Sequence, residues 1–207
     1  DNYKDFYQTG SNSNVNIALS NSTDKASYRL SYTRLDYKSI APGSYLDRNT
    51  FNLNSSLKLN DKVSTDIVIN YVNSFVHNRP ESINRLTANY GGFFSRADYM
   101  DVYQNKYRTS TGHKYVLFNQ PERNPEEAIK YNIRATDLLE YLWRNVRDND
   151  DEYQDRLISS PTLNYQVVKN LKFRGRIGND FTSIRNEIER HNEYPTSFNA
   201  SSSTGSY

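Results

Sequence analysis

Strict alternation of apolar and polar side chains is the sequence feature that most limits how this chain folds. In the stretch KASYRLSYTRLDYK, Tyr28, Leu30 and Tyr32 fall on one face of an extended strand, whereas Arg29 and Ser31 fall on the other. Period-two alternation predicts a β-strand with one face covered and one face wet. Because the pattern recurs along most of the chain, we predict an all-β fold of antiparallel strands.

The predicted strands form two blocks, about 14–76 and 155–184, separated by a long connection at about 77–151. Within this connection, the helical spacing of Leu138, Leu142 and Trp143 predicts a partly helical loop. Another polar segment follows at about 186–207. The individual strands are predicted at about 14–20, 25–38, 48–60, 63–76, 155–168 and 171–184.

The connections between these strands alternate between short and long. Short turns are predicted at 21–25, 60–62 and 169–170, and the remaining connections are longer. Outer-membrane barrels follow this rule, with short periplasmic turns and long extracellular loops, and their strands need about 9–11 residues to cross. The asymmetry favours part of a large transmembrane β-barrel. Periodicity alone leaves a soluble β-sandwich, acting as a carbohydrate-binding module, as the alternative.

The two faces of the predicted strands differ in their side chains. Tyr37, Tyr71 and Phe75 lie near the ends with long loops, where an aromatic girdle is expected on the lipid side of a barrel. A water-filled lumen and the solvent face of a sandwich both accept the charges of the other face. These charges are Arg29, Lys58, Asp66, Arg174, Arg176 and Asp180.

Composition narrows the function classes. Only 35% of the residues are hydrophobic, yet the chain contains 18 tyrosines, which suits antiparallel structure with one wet side. The net charge of +2 gives no support for nucleic acid as a partner, and the absence of cysteine excludes disulfides. Because the sequence starts at Asp1 without Met, we interpret it as a piece of a longer polypeptide.

Aromatic and arginine side chains of the 77–151 insertion are the candidate substrate-binding residues. Sugar rings stack on aromatic faces, and peptide carboxylates suit arginine forks. Trp143 lies in an apolar helical stripe, which favours packing over binding. The candidates are Tyr90, Phe93, Phe94, Arg96, Tyr99, Tyr103, Tyr141 and Arg144.

Catalytic and metal signals are weak. His77, His113 and His191 lack metal-ligand spacing, and we expect neither an enzyme nor a resident cofactor. The acidic run 148–152 carries hard oxygen ligands that suit calcium, but it lacks the glycine and the spaced glutamate of a calcium loop. A solvated loop rim is the favoured interpretation of that run.

Three stretches carry motifs that resemble SusC/RagA-type TonB-dependent outer-membrane transporters of Bacteroidetes. They are NVNIALSNSTDKASYRLSYTRLDYKSI, RNTFNLNSSLKLNDKVSTDIVINY and DRLISSPTLNYQVVKNLKFRGRIGNDF, and together with their surroundings they cover about two-thirds of the chain. Asn21-Ser22 and Ser39 depart from the glycines of the family. The matching residues are Lys25, Tyr28, Ser31, Tyr32, Asp36, Arg48, Asn54, Asp61, Tyr71, Asp155, Arg156, Tyr165, Leu171, Arg174, Gly175, Arg176, Gly178 and Asp180.

The resemblance implies a section of a barrel of roughly 22 strands with a plugged lumen. Members of this family import oligosaccharides or peptides across the outer membrane, with energy from the TonB complex and a SusD-like surface lipoprotein as lid. The resemblance also implies that the plug domain and the TonB-contacting segment lie outside this chain. Tyr28, Leu30 and Tyr32 would then face lipid, and Arg29, Ser31 and Thr33 would face the lumen.

Overall fold

A computed structural model describes residues 2–80, 99–108, 112 and 142–191 of the chain. The strands are β1 (Ser11–Ser22), β2 (Ala26–Lys38), β3 (Tyr45–Lys58), β4 (Val63–His77), β5 (Asn149–Val168), β6 (Leu171–Arg176) and β7 (Asn179–Glu189). A short helix, α1 (Met100–Lys106), a 3-10 turn (Asn2–Phe6) and a π-helical turn (Trp143–Arg147) complete the described elements. The predicted all-β antiparallel fold is confirmed.

All seven strands belong to one antiparallel sheet, in which consecutive strands pair with each other from β1 to β6 and β7 returns to pair with β5. β6 and β7 both pair with β5, and β7 continues the register of β6. Thr162 faces Arg176, and Ser159, three residues earlier, faces Asn179, three residues later. Pro161 lies between these pairs and has no N–H to donate, so the ladder is interrupted there. The Ile177 N–H still donates to the Pro161 carbonyl at 3.1 Å. β6 and β7 therefore act as one long strand.

The strands extend beyond the predicted limits at the end opposite the hairpin turns. β1 begins at Ser11 and β5 begins at Asn149, whereas the sequence predicted starts near 14 and 155. The acidic run 148–152 was predicted to be a solvated loop rim, and this is wrong for most of it. Asn149 pairs with Glu189, and Asp151 pairs with His77, so the run forms the first rungs of β5.

The short turns are closed by side chains that bond to the local backbone. The Thr23 hydroxyl accepts from the Ala26 N–H at 3.1 Å. The Asn60 side-chain oxygen accepts from the N–H groups of Lys62 and Val63 at 2.8 and 2.9 Å. Short polar residues stabilise turns by such bonds, which explains why these hairpins form without glycine.

Buried apolar side chains concentrate beyond the other end of the sheet. Trp143 is fully buried, as the sequence predicted from its apolar stripe, and Leu142 is 2% exposed. The α1 helix contacts the 3-10 turn, and the Gln104 side chain donates to the Asp5 carbonyl at 2.9 Å. We call this packed end the cap. Its buried apolar side chains are Phe6, Ala41, Met100, Tyr107, Leu142 and Trp143.

Gly43 fixes how closely the β2–β3 connection approaches the π-helical turn. Its φ is +78°, and a Cβ built on it would lie 1.7 Å from the Asn145 carbonyl oxygen. We expect Gly43→Ala to lower the free energy of unfolding by about 2 kcal/mol or more, because it combines backbone strain with a clash. Thermal unfolding of the purified natural protein measures this. Gly178→Ala is the control, since nothing lies within 4 Å of its Cβ. Equal stability of the two variants would contradict the close approach.

Candidate functional site

One face of the sheet carries a continuous exposed band of apolar side chains. Register places Ile17, Tyr32, Phe51, Tyr71 and Leu157 in one row that crosses β1 to β5, and Phe181 of β7 completes it. We call this face the apolar face. The following members of the band are each more than one third exposed: Ile17, Leu19, Tyr28, Leu30, Phe51, Leu157, Leu163, Phe173, Ile177 and Phe181.

The rings of the band contact one another across neighbouring strands. The Tyr32 and Phe51 centroids are 4.8 Å apart, and those of Phe51 and Tyr71 are 6.2 Å apart. Cross-strand aromatic pairs of this kind stabilise a sheet beyond the area that they bury. The band is therefore a continuous surface of aromatic rings and aliphatic side chains that is exposed on this face of the sheet.

A polar row lies directly beside the band, on the side of the cap. Arg34, Asn49, Asn73 and Asp155 occupy successive strands of this row. The Tyr32 hydroxyl donates to the Asn49 side-chain oxygen at 2.7 Å, and the equivalent Tyr71–Asp155 bond is 2.6 Å. Two tyrosines thus have their rings in the apolar band and their hydroxyls in the polar row, as tyrosines do at an apolar–aqueous boundary.

Arg34 connects the polar row to two carboxylates nearer the cap. Its Nε donates to Asp36 at 2.8 Å, and its Nη2 lies 3.1 Å from Asp47. The hydrogen bond from Arg34 lowers the pKa of the Asp36 carboxyl, because it favours the charged form. Both carboxylates lie beyond the apolar band.

The opposite face is mainly polar, and several of its charged side chains bond to charged or neutral neighbours on the same face. Arg156 donates twice to Asp180, at 2.9 and 2.6 Å, and Asp66 accepts from Ser56 and Asn164 at 2.6 and 2.9 Å. Near the hairpin turns, a cavity of about 620 Å³ opens mainly on this polar face. Its lining includes Ser27 of β2 and Lys172 of β6, so the sheet curves around this face. The predicted separation of the charged residues from the apolar band is confirmed.

Asn78 joins the end of β4 to the start of β5 and to the cap. It is 4% exposed, and its φ of 45° suits asparagine better than most residues. Its side-chain nitrogen donates to the Asn145 and Asp148 carbonyls at 3.0 and 2.9 Å. Its side-chain oxygen accepts from the Asp150 N–H at 2.8 Å. Asn78 therefore ties three segments together.

Two histidines that looked isolated in the sequence contact carboxylates in the structure. His77 Nδ1 lies 2.6 Å from the Asp151 carboxylate. The His191 backbone N–H donates to the Asp148 carboxylate at 2.9 Å, and the ring nitrogen Nδ1 of His191 lies 3.6 Å from the same carboxylate. Asp148 is 2% exposed. Arg190 also approaches Asp148, at 3.8 Å. The carboxylate partners of His77 and His191 lie more than 40 residues away along the chain, so no local sequence motif could predict these contacts.

These contacts leave the calcium hypothesis without support. Within the described residues, no three or more His, Asp or Glu side chains come together in a way that could hold a metal ion. Asp148 and Asp151 already contact the two histidines, and Glu152 accepts from Arg79 at 2.8 Å. The acidic run instead anchors the start of β5.

The structure places only some of the candidate substrate-binding residues. Tyr99 is 69% exposed beside α1, Tyr103 lies within α1, and Arg144 is exposed on the π-helical turn. The described residues therefore do not test whether the candidates form one site. Tyr90, Phe93, Phe94, Arg96 and Tyr141 lie outside the described residues.

Of the three aromatic residues predicted to form a girdle, two share the face of the exposed band; the girdle itself stays a prediction. Tyr71 and Phe75 lie on the apolar face, but Tyr37 lies on the polar face, because it is an odd number of residues from Tyr32 along an unbroken strand. The sequence analysis missed Tyr45 and Tyr153, whose rings flank Phe75 at 5.7 and 4.8 Å. Both occupy rungs of β3 and β5 outside the predicted strand limits.

No protein-family model matches the sequence, and no curated protein is significantly similar to it. Among the described helices, none has the length and apolar character to cross a membrane. The resemblance to SusC/RagA-type transporters therefore stays a prediction.

Asn78→Ala tests the junction between the cap and the sheet. We expect it to lower the free energy of unfolding by about 3 kcal/mol, because buried partners lose their hydrogen bonds and the backbone conformation becomes strained. Urea unfolding measures the loss. Asn54→Ala, at an exposed position of β3, is the control and should stay within about 0.5 kcal/mol of the natural protein. A similar small change at Asn78 would show that the junction is not important for stability.

Proposed function

We propose that this chain is a section of the wall of an outer-membrane, TonB-dependent importer of oligosaccharides or peptides. The observation that carries the proposal is the exposed apolar band, which crosses every strand and ends at a polar row. Monomeric soluble proteins rarely expose a contiguous apolar surface of this extent. Lipid covers such a band without any further protein.

A second sheet is the alternative cover, and it defines the soluble carbohydrate-binding sandwich. All seven described strands belong to one sheet, and within the described residues no strand packs over the apolar face. Leu30 is 47% exposed and Ile17 is 67% exposed, although both lie within the band. A sandwich of this size would bury such positions between its sheets. The lipid interpretation is therefore favoured.

The free edges of the sheet fit the same proposal. Among the described strands, β1 has a partner only on its β2 side, and β6 and β7 pair only with β5. In a membrane, every backbone polar group needs a partner, so an open sheet is not stable there. We propose that neighbouring strands of a longer polypeptide continue the sheet on both sides and close it into a barrel.

The polar face suits the lumen of such a barrel, and the cap suits its extracellular end. Paired charges such as Arg156 and Asp180 are compatible with a wet interior. The hairpin turns would face the periplasm, where the TonB complex acts through segments outside this chain. The cap and the 77–151 insertion would lie outside the cell, where a SusD-like lipoprotein binds and cargo enters. No residue of this chain is assigned a catalytic role.

Lysine substitutions on the two faces of β2 test the membrane assignment. We expect Leu30→Lys to destabilise the folded protein in bilayers by about 2–4 kcal/mol, since a charge near the middle of the lipid face is costly. Ser31→Lys is the matched control on the polar face and should cost much less. Urea titration of the natural protein refolded into vesicles measures both. Equal effects, or a folded protein in detergent-free buffer, would contradict the proposal.

The transporter assignment needs a separate measurement. We expect the natural protein, purified in mild detergent from its native membrane, to carry a SusD-like lipoprotein with it. Loss of uptake of one oligosaccharide or peptide class on deletion of the protein would identify the cargo. A membrane protein without this partner and without any uptake defect would remain a barrel but not an importer of this type.

A further inference from the structure

A second cavity opens on the apolar face beyond the band, on the side of the cap. Its volume is about 490 Å³. Its walls come from the cap ends of β1 to β4 and from the β2–β3 connection. All of its lining strand residues except Tyr37 lie on the apolar face, so it opens away from the polar face that we assign to the lumen. The lining residues that bear on binding are Asp36, Lys38, Ser44, Tyr45, Asp47 and His77.

Tyr45 forms an aromatic wall of this cavity. Its ring stacks on His77 with centroids 4.8 Å apart and an interplanar angle of 29°. Phe75 supports the same ring edge-on at 5.7 Å, yet Tyr45 remains 40% exposed. The ring is therefore held in one orientation while part of its surface stays open to a ligand. A pre-oriented aromatic surface with a hydroxyl at its edge suits an amphipathic ring such as a sugar.

The polar groups of the cavity include both donors and acceptors of hydrogen bonds. Asp36 and Asp47 are acceptors whose positions are fixed by Arg34, and Lys38 is a donor. Ser44 is only 3% exposed, and its hydroxyl oxygen has no hydrogen-bond partner among the described residues. Buried hydroxyls are almost always paired, so an unpaired one in a cavity wall indicates a missing partner.

We propose that this cavity binds a sugar ring in the headgroup of an outer-leaflet glycolipid. Sugar hydroxyls both donate and accept, which matches a lining that mixes two carboxylates with a lysine and a serine. The carboxylates disfavour a phosphate, and the aromatic stack is not needed for a metal ion. The sugar assignment depends on the cavity alone, whereas the glycolipid as its source depends on the proposed function.

The position of the cavity is the reason for choosing a glycolipid rather than imported cargo. Asp36 lies four residues beyond Tyr32, which is the last band residue of β2. Four residues span about 13 Å along a strand, or roughly 9 Å along the membrane normal at the usual tilt. That height is at the outer limit of the headgroup region, where the sugars of a glycolipid begin. Cargo in the lumen would meet the opposite face.

Calorimetric titration of the natural protein in detergent tests the proposal with three probes. They are rough lipopolysaccharide, its water-soluble core oligosaccharide, and inorganic phosphate. The variants are Tyr45→Leu and Ser44→Ala. Their matched controls are Tyr28→Leu, which changes a tyrosine of similar exposure in the band, and Ser31→Ala, which changes a serine on the polar face.

We expect both sugar-containing probes to bind and phosphate not to compete. Tyr45→Leu should weaken binding of the core oligosaccharide by about tenfold, and Ser44→Ala by about threefold, with both controls within about twofold. Unchanged binding in both variants, absence of oligosaccharide binding, or displacement by phosphate would overturn the proposal. The proposed function is tested by a different measurement. A protein that folds without detergent contradicts the membrane assignment, whatever ligand this cavity binds.

Discussion

The antiparallel register is the constraint on which the other features of this structure depend. Side chains alternate with a period of two, so a slip of one residue would move all apolar side chains of a strand to the polar face. The β1–β2 pairing runs from Ser11–Lys38 to Ser22–Ser27 without interruption, and the β4–β5 pairing is equally regular. Even Pro161, which removes a ladder bond, leaves the register unchanged. The pairings of β1 to β5 keep this order along their whole length, and the β5–β6 register shifts only between Gln166 and Val168, beside the hairpin turn. The band is continuous for this reason.

The band ends abruptly on the side of the cap. On β2 to β5, one rung separates the row that contains Phe51 from the row that contains Asn49, and the side chains change from apolar to polar within that step. A gradual change would leave polar groups unpaired in an apolar surrounding, which is costly. The hydroxyls of Tyr32 and Tyr71 bridge the step, since each donates into the polar row from a ring that lies in the band.

The sequence was sufficient to predict the features that depend on local pattern. Alternation identified the faces of β2, and the charges of the opposite face followed from the same rule. Tyr37 shows that closeness to a loop does not identify a girdle residue. Its position near a long loop suggested the girdle, but its odd spacing from Tyr32 along the strand places it on the other face. Parity counted from Tyr32 would have corrected this from the sequence alone.

Features that depend on distant pairing were beyond sequence analysis. The acidic run 148–152 looked solvated because its partners, such as His77 and Arg79, lie about 70 residues earlier in the chain. The cavity near Tyr45 was missed for a related reason. Ser44 follows a Pro-Gly turn and looks like an ordinary loop residue, and only the approach of β1, β2 and β4 makes it part of a wall.

The two ends of the sheet are stabilised in different ways, and this difference bears on function. At the hairpin end, the Thr23 and Asn60 side chains bond to backbone groups at most three positions away. Backbone hydrogen bonds of 2.7 Å also join these turns to neighbouring strands, from the Lys58 N–H to the Lys25 carbonyl and from the Gln166 N–H to the Lys62 carbonyl. At the cap end, Asn78 bonds to the π-helical turn and to β5. Gly43, which has no side chain, lets the β2–β3 connection pack closely against the same π-helical turn. Because these contacts share residues, displacement of the turn would disturb β4, β5 and the wall of the sugar cavity together. Binding at the cap is therefore coupled mechanically to the strands beneath it through the contacts that Asn78 and Gly43 share at Asn145.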